Sequence, residues 1–140
     1  MKYNFLLVLV LIFVSCEGTE SPDLLPNVPV DFTVDMNLPQ YQSLIVPGGT
    51  AFDSRQGVQG IYIYNLNNSQ FRAFDAACPA QQANSCRPMD LVDNILLTCS
   101  CDQNSYSILD GSPQGENNSY YAKEYAVSQI NATTLRIRNY

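Results

Sequence analysis

The chain has 140 residues, with 13 Asp plus Glu against 7 Lys plus Arg (formal net charge −6), and it contains neither histidine nor tryptophan. The missing imidazole excludes His-based acid–base catalysis, Ser-His and Cys-His nucleophile pairs, and the commonest metal ligand. The acidic balance argues against nucleic acid or anionic lipid as a partner, and the length accommodates one domain with a single core.

Met1-Lys2 makes a short basic start, and Phe5 to Val14 (FLLVLVLIFV) is an unbroken apolar run. A bilayer-spanning helix needs about twenty such residues. The shorter run fits the apolar region of a secretory signal, with small Ser15 just before the cleavage point. Phe13-Val14-Ser15-Cys16 resembles the lipobox of bacterial lipoproteins, with Phe13 in place of the usual aliphatic residue. That resemblance implies a signal peptide over residues 1–15 and lipid on Cys16, which becomes the first mature residue. Cleavage also removes Lys2, leaving 7 − 1 = 6 basic residues against 13 acidic ones, a formal charge of −7. Residues 16–29 read as lipid anchor and flexible tether, the stretch Glu17 to Pro29 being polar, acidic and proline-bearing. The expected location is the cell envelope, on a membrane facing the periplasm or the cell surface.

From residue 30 to 140 the pattern is that of β-strands. Val30, Phe32, Val34 and Met36 alternate with Asp31, Thr33 and Asp35, so one face of this segment is apolar. Pro47-Gly48-Gly49 reads as a turn, not as a phosphate loop. Ile61 and Ile63 oppose Tyr62 and Tyr64, and Leu66-Asn67-Asn68-Ser69 turns the chain into Gln70 to Phe74, a predicted hairpin. Further strands are expected at 94–98, 105–109, 121–127 and 134–138. The interleaved tyrosines read as strand residues with an apolar body and a wet hydroxyl, ahead of stacking platforms. Sequons at Asn67, Asn117 and Asn131 read as chance in an asparagine-rich chain. The fold class is all-β.

Beyond Cys16 there are four cysteines, Cys78, Cys86, Cys99 and Cys101. An even number in an exported domain reads first as two disulfides, with a tetrathiolate zinc site as the competing reading. Of three pairings, the one with Cys99–Cys101 is disfavoured by Cys-x-Cys geometry, leaving two open.

The order of motifs is a hairpin ending in Phe-Asp-Ala-Ala-Cys78-Pro79, a loop, then Leu-Leu-Thr-Cys99-Ser-Cys101-Asp-Gln-Asn-Ser-Tyr106-Ser-Ile-Leu-Asp-Gly111, and finally Tyr125-Ala-Val127 and Thr134-Leu-Arg-Ile137. From about Gly60 to Ile137 this resembles a Rieske domain. The resemblance implies a Rieske-like sandwich of three small antiparallel sheets, with two cysteine loops (roughly 76–90 and 99–112) side by side at one tip. Cys78 and Cys99 stand where that family has its two thiolate ligands to a [2Fe-2S] cluster. Cys86 and Cys101 stand where the quinol-oxidising branch has a loop-to-loop disulfide. Ala80 and Asp102 stand where the family has its histidines, Tyr106 where some members have a tyrosine bonded to a cluster cysteine, and Gln103 where a glycine is usual.

In a Rieske centre two cysteines bind one iron and two histidines the other. An alanine methyl donates nothing, and one oxygen from Asp102 leaves the second iron a ligand short. The resemblance therefore implies Cys78–Cys99 and Cys86–Cys101 as disulfides and no cofactor, the alternative being a [2Fe-2S] cluster with atypical ligands. The expected role is non-enzymatic, structural or interacting, with a membrane contact through the lipid and an unidentified envelope protein as partner. An electron carrier and a thiol–disulfide function are the competing readings. The latter needs an exposed cysteine beside a cation, for which Arg87 next to Cys86 is the candidate.

Overall fold

The computed structural model describes residues 24–140. The proposed signal peptide, Cys16 and the tether up to residue 23 lie outside these. Among the described residues no helix is long and apolar enough to cross a membrane.

Ten strands and one 3-10 helix follow one another: β1 (Asp31–Asp35), the helix (Pro39–Ile45), β2 (Thr50–Asp53), β3 (Ile61–Asn65), β4 (Phe71–Asp75), β5 (Asp90–Val92), β6 (Leu96–Thr98), β7 (Ser105–Ser107), β8 (Pro113–Gln114), β9 (Glu124–Asn131) and β10 (Thr134–Arg138). All pairings are antiparallel. β9 is long enough to serve two neighbours. Its first residues pair with β4 (Ala73 opposite Tyr125) and its later ones with β10, across a bulge at Thr134 and Leu135. Two of the three expected sheets therefore run together as one six-stranded sheet, β1-β10-β9-β4-β3-β2, and the third is β5-β6-β7-β8.

The alternating segments put their apolar face inward. Val34, Ile61, Ile63, Leu135 and Ile137 are buried together with Tyr41 and Leu44 from the 3-10 helix. A second cluster lies at the tip and is built from Phe74, Met89, Leu97, Tyr106 and Ile108 around Cys78, Cys86 and Cys99. The tether ends earlier than composition indicates. Leu25 and Val30 are buried, Val28 packs on the first cluster, and Asn139 Nδ2 donates to the Val28 carbonyl at 3.1 Å. These apolar contacts and a bond from the residue after β10 outweigh the local signal of the prolines.

Some elements differ from expectation. β2, β5 and β8 and the 3-10 helix carry no strict periodicity. The predicted strand at 94–98 begins at Leu96, because Asp93 and Asn94 both adopt positive φ (51° and 62°) in the turn from β5. Three tyrosine hydroxyls bond protein acceptors. Tyr62 donates to the Met89 carbonyl at 3.0 Å, Tyr41 to Asp53 Oδ2 at 2.6 Å and Tyr125 to Asp75 Oδ2 at 2.7 Å.

Asp53 ends β2 as a buried carboxylate. The Arg55 guanidinium, then the Tyr41 hydroxyl and the Arg55 backbone N–H, hold its pKa down to about 2, against the opposing effect of burial. A depressed pKa stabilises the fold above the unfolded value of 3.8, and the contribution is lost as pH falls through about 2. At roughly 1.4 kcal/mol per pH unit of displacement, less the screening around exposed Arg55, the effect is about 2 kcal/mol. Asp53→Asn should lower stability by that order at pH 7, and the gap from wild type should close by pH 2. Urea titrations across this range measure it, and a gap independent of pH would refute the assignment.

Candidate functional site

The first cysteine loop springs from β4. Asp75, at the end of that strand, is fully buried and accepts four hydrogen bonds, from the N–H groups of Val58 (2.6 Å), Gln59 (3.2 Å) and Ala77 (2.8 Å) and from the Tyr125 hydroxyl. Gly57 has φ +76°, and a Cβ there would lie 2.5 Å from Asp75 Oδ2, so only glycine lets this loop reach the carboxylate. The chain then turns outward. Met89 N–H closes the base of the loop on the Ala76 carbonyl at 2.6 Å, and Gln59 Nε2 holds the Cys86 carbonyl at 2.8 Å.

The second loop leaves β6 at Cys99. Cys99 N–H bonds the Asn104 carbonyl at 2.8 Å, and Gln103 N–H bonds the Cys99 carbonyl at 3.0 Å. The tight turn forms with Gln103 at φ 61°, a left-handed conformation in which a side chain is strained by about 1–2 kcal/mol. Gln103 Nε2 offsets part of this by donating to the Ser100 carbonyl at 2.9 Å. Gln103→Gly should therefore stabilise the protein by roughly 0.5–1 kcal/mol, the strain relief exceeding the added chain entropy. A fall in the urea midpoint would contradict this.

The two loops meet side by side at one tip. Cys78 Sγ bonds Cys99 Sγ (2.11 Å, Cα–Cα 5.6 Å), and Cys86 Sγ bonds Cys101 Sγ (2.07 Å, Cα–Cα 6.0 Å). Cys78, Cys86 and Cys99 are buried and Cys101 is exposed. Cys86 Sγ also lies 3.6 Å from Cys99 Sγ. Disulfide sulfurs carry no proton, so this is a packing contact between the two bridges and not a hydrogen bond.

Polar groups reinforce the junction. Gln81 Nε2 donates to Asp102 Oδ2 at 2.9 Å, while Asp102 Oδ1 accepts the Asn104 N–H at 2.9 Å. Arg87 Nε reaches Ser100 Oγ at 3.1 Å, and its terminal nitrogens grip the Asp90 carboxylate. Arg87 is thus committed to Asp90 and Ser100 and does not serve Cys86 as a counter-cation. Tyr106 is fully buried on β7, and its hydroxyl proton meets no acceptor among the described residues; burial raises its pKa, against the opposing effect of the Asn118 side chain, keeping the proton on. Sequence reasoning missed Asp75, Gln59 and Gln81, since apart from Ala77 beside Asp75 their partners lie between 16 and 50 residues away.

The residues do not fit a [2Fe-2S] centre. Cys78 and Cys99, the two positions for thiolate ligands, spend their sulfurs on each other. Ala80 has no donor atom, and both Asp102 oxygens are engaged by Gln81 and Asn104.

The fold is thus nearly all-β, two antiparallel sheets with a pair of loops joined by both disulfides. No protein-family model matches the chain, and no curated protein matches it. Among solved structures it is similar to a protein assigned as the small subunit of an NADH-dependent nitrite reductase from Mycobacterium tuberculosis, with 13% identity over 81% of this chain and 98% of that one, and a TM-score of 0.49. It is likewise similar to the ferredoxin of carbazole 1,9a-dioxygenase from Nocardioides aromaticivorans IC177 (12% identity, 81% and 99% covered, TM-score 0.48) and to a ferredoxin of Sphingomonas yanoikuyae B1 (16%, 65% and 83%, 0.42).

Proposed function

We propose that this chain is a cell-envelope lipoprotein whose Rieske-like domain has lost its iron–sulfur cluster and serves a non-enzymatic, structural or interaction role. The observation that carries the reading is the Cys78–Cys99 bond. It occupies the sulfurs a cluster would need and turns the former ligand positions into a covalent seam between the loops. Ala80 without a donor and Asp102 tied to Gln81 and Asn104 support the same reading. The signal-like N-terminus and Cys16 supply the envelope part of the proposal. Fold is kept more easily than function, and a tip held by disulfides needs no metal to stay closed.

Metal and sulfide analysis of the full chain, purified anaerobically in detergent without refolding, tests the loss of the cluster. The expected result is neither iron nor inorganic sulfide; two of each per chain would restore the electron-carrier reading. The anchor has its own test. Cys16→Ser should release the protein from the membrane fraction or leave it as unprocessed precursor, and a cleaved variant still fractionating with membranes would refute lipidation at that residue.

A further inference from the structure

We infer that the same tip, once its disulfides are reduced, is a four-thiolate site for a soft d10 cation such as Zn2+, formed by Cys78, Cys86, Cys99 and Cys101. The inference goes beyond the cluster-free reading and concerns a state in which both disulfides are open. It begins from sulfur positions. Cys78, Cys86 and Cys99 place their sulfurs within 4.8 Å of one another, all buried, and Cys101 is bonded to Cys86. Zinc–thiolate bonds of about 2.3 Å put the sulfurs of a tetrahedral site about 3.8 Å apart. The contact between Cys86 and Cys99 is already 3.6 Å. Opening two bonds of about 2 Å to that spacing asks for side-chain movement of less than 2 Å each.

The loops do not depend on the disulfides alone for their placement. Gln81 to Asp102, Gln59 to the Cys86 carbonyl, Met89 N–H to the Ala76 carbonyl and Arg87 to Ser100 involve no disulfide sulfur, so reduction does not itself break them. Loops held in this way keep the thiols convergent. Thiolates select soft cations, and the carboxylate next to Cys101, Asp102, is already held by Gln81 and Asn104. The Tyr106 hydroxyl belongs to the same apolar cluster as three of the cysteines and lacks an acceptor among the described residues, which a thiolate would supply.

The balance is explicit. Two molecules of a dithiol reductant each deliver two electrons and two protons and close to their own disulfides, giving four cysteine thiols. Zn2+ then displaces four protons and makes four Zn–S bonds. Two molecules of a disulfide oxidant take up the four electrons on reoxidation, leave as four thiolates, and give back the two cysteine disulfides and free Zn2+. The site is therefore present only in the reduced chain.

The test uses the full chain in detergent, reduced anaerobically with a phosphine and titrated with Cd2+. The thiolate-to-cadmium absorption should rise linearly and stop at one Cd2+ per chain. Equimolar Zn2+ should protect all four cysteines from alkylation in peptide maps, and the unreduced chain should do neither. Cys86→Ser should weaken cadmium binding at least tenfold; if that variant does not fold, the alkylation map of the wild type decides. An endpoint away from one, cysteines equally reactive with and without zinc, or equal uptake by the oxidised chain would overturn the site. Iron and inorganic sulfide in the chain as isolated would instead overturn the cluster-free reading, before any titration begins.

Discussion

Asp75→Ala is expected to destabilise the protein by about 4 kcal/mol, a large share of the roughly 5–15 kcal/mol that holds a domain of this size folded. The carboxylate is fully buried and binds Val58 and Gln59 from the loop before β3, Ala77 from the first cysteine loop, and Tyr125 from β9. Removing it leaves the buried Ala77 N–H and Tyr125 hydroxyl, and the half-buried N–H groups of Val58 and Gln59, without an acceptor, each buried one at about 1–3 kcal/mol if water cannot reach it. Asp75→Asn keeps one oxygen and the shape, so it should lose less, roughly half. Urea unfolding of both variants measures the difference. A loss below about 1 kcal/mol for the alanine variant would mean that water replaces the carboxylate, and that the loop is not pinned from this point.

The second large effect concerns the disulfides. Their sequence separations are 21 and 15 residues, so chain-entropy reasoning gives about 3 kcal/mol for each. The bonds close the same two loops, and the pair should therefore contribute less than the sum. Reduction should act on the tip first. The cluster around Cys78, Cys86 and Cys99 is separate from the one beneath the six-stranded sheet, where Val34, Ile63, Leu135 and Ile137 pack. Amide hydrogen exchange under reducing conditions should rise in residues 76–90 and 99–104 while β1, β9 and β10 stay protected. Uniform loss of protection would show the two clusters to be one cooperative unit. Added Zn2+ should restore protection in the reduced tip if the four-thiolate site forms.

How far the sequence reaches into this structure depends on how local each signal is. Alternation over 31–35 is written in neighbouring residues, because a pleated strand turns successive side chains to opposite faces, and Phe32 and Val34 lie on the core side as expected; 61–65, 71–75 and 134–138 are strands too, the first two with residues of both faces buried. The same local evidence makes the chain all-β and brings the two cysteine-bearing segments into view. Strands of two to four residues such as β2, β5 and β8 have too few positions to show a period, and they exist because a partner strand completes their hydrogen bonds. Burial decided the polar residues. Nothing near Asp53 or Asp75 in sequence marks them as interior, yet both are buried, made tolerable by donors that the fold collects from up to 50 residues away. At the tip, composition alone accounts for an even set of cysteines in an acidic chain without histidine. The contact between the two bridges and the Gln81–Asp102 link come from two loops meeting in space, and no spacing along the chain encodes a distance between loops.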